Sequence, residues 1–133
     1  MALLLNDILF VGISGCVTAL RKKTGEKIWE TLIGYYPHQL CVERERVYVA
    51  MQGGDLYVLS AQTGEVLKKG SFPGTGQNPT LLVEDGMVFV TAGGELTAFD
   101  LDGNQQWTNP FKGHGNNVVT LATTTKDRQG DES

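Results

Sequence analysis

Short apolar runs separated by polar or glycine-bearing turns recur along this chain in one fixed order. The first run of each group is brief: Leu3-Leu4-Leu5, then Leu40-Cys41-Val42, then Leu81-Leu82-Val83. A polar turn follows (Asn6-Asp7; Glu43 to Arg46; Glu84-Asp85-Gly86), leading into the strand formers "ILFVGIS", "VYVAMQ" and "MVFVTA". Behind Ser14-Gly15-Cys16, Gly53-Gly54-Asp55 and Gly93-Gly94-Glu95 comes a third run, alternating at a period of two: Val17 to Leu20, Leu56 to Leu59, Leu96 to Phe99. A fourth run follows Lys23-Thr24-Gly25, Gln62-Thr63-Gly64 and Leu101-Asp102-Gly103, and carries Trp29, Lys68 or Trp107 at matching places. Alternation with β-branched and aromatic residues predicts strands, and the glycine turns predict antiparallel hairpins.

The groups repeat about every 39 residues, the period of a propeller or solenoid. Alternation at a period of two excludes a helical solenoid, and four antiparallel strands in such a repeat describe a β-propeller blade. The chain is therefore predicted to be all-β, with three four-stranded blades at 2–32, 39–71 and 80–110. An extra strand is expected at 117–124, where Asn117 to Leu121 align with the opening runs; a single domain then spans 1–124, before a polar, flexible tail at 125–133. Thr24-Gly25 and Thr63-Gly64 are read as turn chemistry: the glycine supplies positive φ for a bulged hairpin loop and the hydroxyl bonds nearby backbone. The tryptophans are read as wedges between stacked sheets, not as catalytic groups.

The Gly-His and Trp-Asp dipeptides of the WD-repeat family are missing from their expected places. The segments resemble instead the PQQ-like propeller repeats, the blades of quinoprotein alcohol dehydrogenases and of an outer-membrane assembly lipoprotein of the same fold, with a motif close to Ala-x-Asp-x-x-Thr-Gly-x-x-x-Trp. Ala19, Thr24, Gly25 and Trp29 match it, with Arg21 in place of the aspartate. Thr63 and Gly64 match in the second repeat, with Ser60 and Lys68 as departures; the third keeps Ala98, Asp100, Gly103 and Trp107 in a shorter turn. The resemblance implies the fold. A quinone site in that family also uses a calcium-binding set, a catalytic aspartate and often adjacent cysteines. Cys16 and Cys41 are not adjacent, so no cofactor is expected.

Family propellers carry about six to eight blades, so three make half a ring. The outer faces of the first and last blades would leave apolar patches in water, which soluble monomers rarely tolerate. A homodimer closing a six-bladed ring is the expected cover, since closed symmetry is the usual oligomer solution. An excised piece of a longer propeller is the alternative, as a fragment of a quinoprotein dehydrogenase or of a larger sensor or scaffold. The extra strand is then a candidate clasp onto a neighbouring subunit.

Composition narrows function mainly by exclusion. Of 133 residues, 17 are glycine, 41% are hydrophobic and the formal charge is −4. That fits a turn-rich globular domain, and basic residues scattered among loops argue against nucleic acid. "MALLL" is too short and lacks the flanks for a signal peptide or a membrane span, so a cytoplasmic location is expected, with the cysteines as structural thiols. The candidate recognition rim lies on the loops between blades: Tyr35, Tyr36, His38 and Gln39; Gln77 and Asn78; Lys112, His114, Asn116 and Asn117. Tyrosines as rigid contacts with adaptable amides suit a protein segment or a small polar ligand. His38 and His114 alone fall short of a usual metal ligand set, and no metal is expected. No nucleophile, phosphate-binding loop or paired carboxylate stands out, so the chain reads as a non-enzymatic binding module.

Overall fold

A computed structural model describes residues 4–34, 36–73, 78–111 and 121–122, with His38 described by its backbone only. The described residues fold into three antiparallel sheets, each a consecutive meander. The first holds β1 (Ile8–Ile13), β2 (Cys16–Arg21) and β3 (Lys27–Leu32). The second holds β4 (Pro37–Glu43), β5 (Arg46–Met51), β6 (Asp55–Ser60) and β7 (Val66–Ser71). The third holds β8 (Thr80–Glu84), β9 (Met87–Ala92), β10 (Glu95–Asp100) and β11 (Gln105–Asn109). The innermost strands touch in series, β1 against β4 and β4 against β8, as blades around an axis do.

Blade 1 departs from the expected four strands. Of its opening run only Leu4 and Leu5 are described, and neither is in a strand: Leu5–Asp7 forms a short 3-10 helix, and the Asp7 amide bonds the Leu4 carbonyl at 2.9 Å. That turn takes up the backbone groups a ladder would need, while Leu5 still packs on the core. The described sheet is therefore three-stranded. The extra strand expected at 117–124 lies outside the described residues except for Leu121 and Ala122, as does the tail at 125–133.

Alternation sends the two faces of blade 2 into two different cores. Val47, Val49, Met51 and Leu59 meet Val17 and Ile33 of the first unit, with Phe10 and Trp29 alongside. Tyr48, Ala50, Leu56 and Val58 meet Leu81, Val83, Val88, Val90 and Phe99 of the third. The register explains the sorting, because Val47 pairs Leu59 on one face and Tyr48 pairs Val58 on the other.

Thr24 and Thr63 each accept, on Oγ1, the amide two residues on, from Glu26 and Glu65 at 3.2 Å. A register shift falls in the same pair of strands in every blade, at Ala19/Leu20, Val58/Leu59 and Ala98/Phe99. In the third turn Asp100 takes the threonine's work, accepting the amides of Asp102 and Asn104 at 2.9 Å each. Those bonds, the Asn104 amide foremost, hold its carboxyl below the usual aspartate range.

Trp29 has a partner that no single repeat shows, whereas Trp107 is 43% exposed. Trp29 of blade 1 lies on the Thr-Gly turn of blade 2: its Nε1 donates to the Ala61 carbonyl at 3.0 Å. A Cβ on Gly64 would fall 2.5 Å from the indole, and Thr31 Oγ1 donates to the Gly64 carbonyl at 2.6 Å. The next seam repeats the arrangement with a lysine. A Cβ on Gly103 would fall 2.8 Å from Lys68 Cγ, and Lys68 Nζ donates to Asn104 Oδ1 at 2.8 Å.

Candidate functional site

Two ends of the stacked blades gather polar groups. At one end the loops between blades meet the hairpins that join the second and third runs. The Ile33 and Gly34 amides bond the Gly15 carbonyl at 2.8 and 3.2 Å, and the Phe72 amide bonds Gly54 at 2.9 Å. Of the predicted rim, Tyr36, Gln39 and Asn78 are described here. Ser14 and Gly15, both at positive φ, close the hairpin beside Tyr36, the geometry of a two-residue turn matched to strand twist.

Tyr36 is 68% exposed here. Gln39 follows on β4, half-buried, where the register shifts between Pro37 and Gln39. A Cβ on Gly12 would fall 2.8 Å from Pro37 Cβ, so glycine on β1 is what lets this part of the rim come close. Asn78 stands at φ 47, and its amide donates to Gln52 Oε1 at 2.6 Å. Gln52 also donates its own amide to the Tyr36 carbonyl at 3.0 Å. Gln52 thus ties the Tyr36 loop to the Asn78 loop, a role the sequence reading missed; its place beside the Gly53-Gly54 turn was the available signal. Tyr35, Gln77, Lys112, His114, Asn116, Asn117 and the His38 side chain lie outside the described residues.

The opposite end holds a second cluster, in an open groove between blades 2 and 3. Arg46 donates through Nη1 to the Leu101 carbonyl at 2.8 Å and to Asp102 Oδ1 at 2.7 Å, while Tyr48 Oη donates to the same carbonyl at 2.8 Å. Tyr48 occupies the register place of Phe10 and Phe89, so its hydroxyl does for the second seam what Trp29 Nε1 does for the first. Burial, the larger effect, pushes that hydroxyl above the ordinary tyrosine value, against the opposing pull of Arg46. The folded chain holds the proton after the unfolded chain has begun to lose it. Stability is therefore expected to fall as pH rises from about 10 through the raised value. Denaturation midpoints across that window should fall less in Tyr48→Phe than in the wild type, and equal falls would assign the loss to other groups.

Among the described residues no three His, Cys, Asp or Glu side chains come together as a metal site. Cys16 and Cys41 are both half-buried, and neither is in a disulfide. Among the described residues no helix is long and apolar enough to cross a membrane.

Stacked antiparallel blades with a tryptophan of one seated on the Thr-Gly turn of the next define a β-propeller of PQQ-like repeats. The chain belongs to the family described as outer membrane protein assembly factor BamB, whose model matches residues 13–131. No curated protein matches the chain. Among solved structures it is similar to BamB from Moraxella catarrhalis, at 22% identity and a TM-score of 0.66 over 77% of this chain and 33% of that one. It is similar to a europium-containing methanol dehydrogenase at 18% identity and TM-score 0.61, over 77% of this chain and 23% of that chain. It is also similar to BBS1N in complex with ARL6DN, at 22% identity and TM-score 0.67, over 86% of this chain and 38% of that one. The chain thus spans well under half the length of each of these structures.

Proposed function

We propose that the chain is a non-enzymatic propeller module that binds a protein segment at the rim around Tyr36 and self-assembles through its blades, two copies completing a ring. The observation that carries the binding reading is the Gln52 tie, which bonds both the backbone of an exposed tyrosine and that of Asn78. Rigid aromatic contacts flanked by amides are what peptide-recognition surfaces use. The family description names an assembly factor, and BBS1N was solved with ARL6DN bound; both favour a protein over a small molecule.

Selection of displayed peptides on the full chain tests the reading. Selected peptides should bind Tyr36→Ala about tenfold or more weakly than the wild type, the loss of a modest hot spot. Undiminished binding to the variant, or no selected peptide at all, would sink the proposal.

The likeness to a methanol dehydrogenase favours a second reading, a sector of a quinoprotein or of a larger propeller scaffold. Adding the quinone with calcium and recording visible absorbance on the protein separates the two. A bound chromophore would establish the second reading for this chain, and an unchanged spectrum would remove its cofactor-binding form.

A further inference from the structure

Blade 2 departs from its two sister repeats at three places that share one groove. Arg46 opens β5 where Ile8 and Met87 open β1 and β9, and Tyr48 stands where those strands carry Phe10 and Phe89. Arg44 is the first turn residue before β5, at a φ of 57°; the same place before β9 is Asp85, at 54°. In the sequence the place before β1 is Asn6. Asparagine and aspartate tolerate left-handed backbone, because their short polar side chains bond it locally; arginine has no such relief. All three departures line the open groove between blades 2 and 3, where Leu101 and Asp102 face them. Both walls of this groove belong to the chain itself, and its volume of about 430 Å³ is that of a small-ligand site.

Packing alone does not call for these residues, since the apolar Ile8 and Phe10 serve the same strand places in blade 1. Arg44 is exposed, and among the described residues it forms no ion pair. A strained residue kept at the mouth of a groove points to a use there. Arg46 is already aimed. Its Nη1 is fixed by the Leu101 carbonyl and Asp102, and Tyr48 braces the same carbonyl. A guanidinium carries five N–H donors in a rigid fork, and among the described residues its Nε and Nη2 donate no bond.

We propose that this groove binds an acidic side chain of a partner protein, its carboxylate gripped between Arg44 and the open edge of the Arg46 fork. Holding the fork in advance lowers the ordering cost of a paired, charge-assisted contact. The lining sets two arginines against three carboxylates, Glu43, Glu45 and Asp102. That balance repels a phosphate dianion or a run of acids, and it suits one carboxylate flanked by lysines. The site lies at the end opposite Tyr36 and stands apart from the rim.

Titrating the isotope-labelled full chain with the capped peptide Gly-Lys-Glu-Lys-Gly, read by amide chemical shifts, tests the proposal. Amides of 43–46 and 101–103 should move together and saturate. The peptide with glutamine at its centre, sodium acetate and inorganic phosphate should leave them in place at equal concentration. No shift with the first peptide, or equal shifts with any of the other three, would overturn the proposal. Arg44→Asn should weaken the peptide about tenfold while its denaturation midpoint holds or rises, because asparagine suits the backbone there. A lower midpoint would make Arg44 a structural residue and overturn its role. Arg46→Lys, which keeps the charge and loses the fork, should weaken binding as well; undiminished binding in either variant would sink the idea. Tyr36→Ala should bind this peptide as the wild type does, so the rim reading can fail without this one, and a loss there would overturn the separate site.

Discussion

Gly64→Ala is expected to cost about 3 kcal/mol of stability, read as a lower denaturation midpoint. Two effects combine: alanine at a φ of 80° is strained, and its Cβ would fall 2.5 Å from the Trp29 ring and 2.6 Å from Thr31 Oγ1. The first is worth roughly 1–2 kcal/mol and overpacking adds roughly 1–3. Trp29→Ala is expected to destabilise by a similar amount, through lost seam packing and the broken bond to Ala61. The pair should not add. Removing the indole removes half of the collision, so the double variant should be more stable than the sum of the single losses by on the order of 1 kcal/mol or more. Strict additivity would mean that the glycine is needed for its φ alone.

The turn chemistry of this contact was legible in the sequence, and its partnership was not. Thr63-Gly64 announces a bulged turn because local backbone physics demands one; the indole it receives comes from the previous repeat, so no single motif contains both. The same limit applies to Lys68. Against the repeat motif it is a departure, yet its stem fills the seat on Gly103 and its ammonium reaches Asn104. A long side chain can do a tryptophan's packing by covering the glycine with methylenes. Blade 1 shows the opposite case: Leu3-Leu4-Leu5 matches the opening runs of the other blades in hydropathy, but Asn6-Asp7 follows at once and a 3-10 turn forms before any ladder. At the rim, exposure of Tyr36 followed from its loop position. The Gln52 bridge did not, because a single amide beside a glycine pair has no pattern of its own.

The second large effect is expected at Phe99, 1% exposed among Tyr48, Val58 and Val88 on the seam between blades 2 and 3. Phe99→Ala should cost about 4 kcal/mol by lost burial and the cavity left behind, a large share of the roughly 5–15 kcal/mol that holds a domain folded. Its reach should be unequal. Blades touch only their neighbours, as repeat units do, and the core between blades 1 and 2 draws on Val17, Val47, Val49, Met51 and Leu59, none of which lines the Phe99 seam. Amide exchange should then lose protection first along β8 to β11, with β2 and the Val47 face of β5 protected to higher denaturant. Phe99→Leu, which refills most of the space, should restore much of the loss. Uniform loss of protection across all three sheets would show that the seams melt as one unit, and that the stiffness of the blades couples the two cores on opposite faces of blade 2.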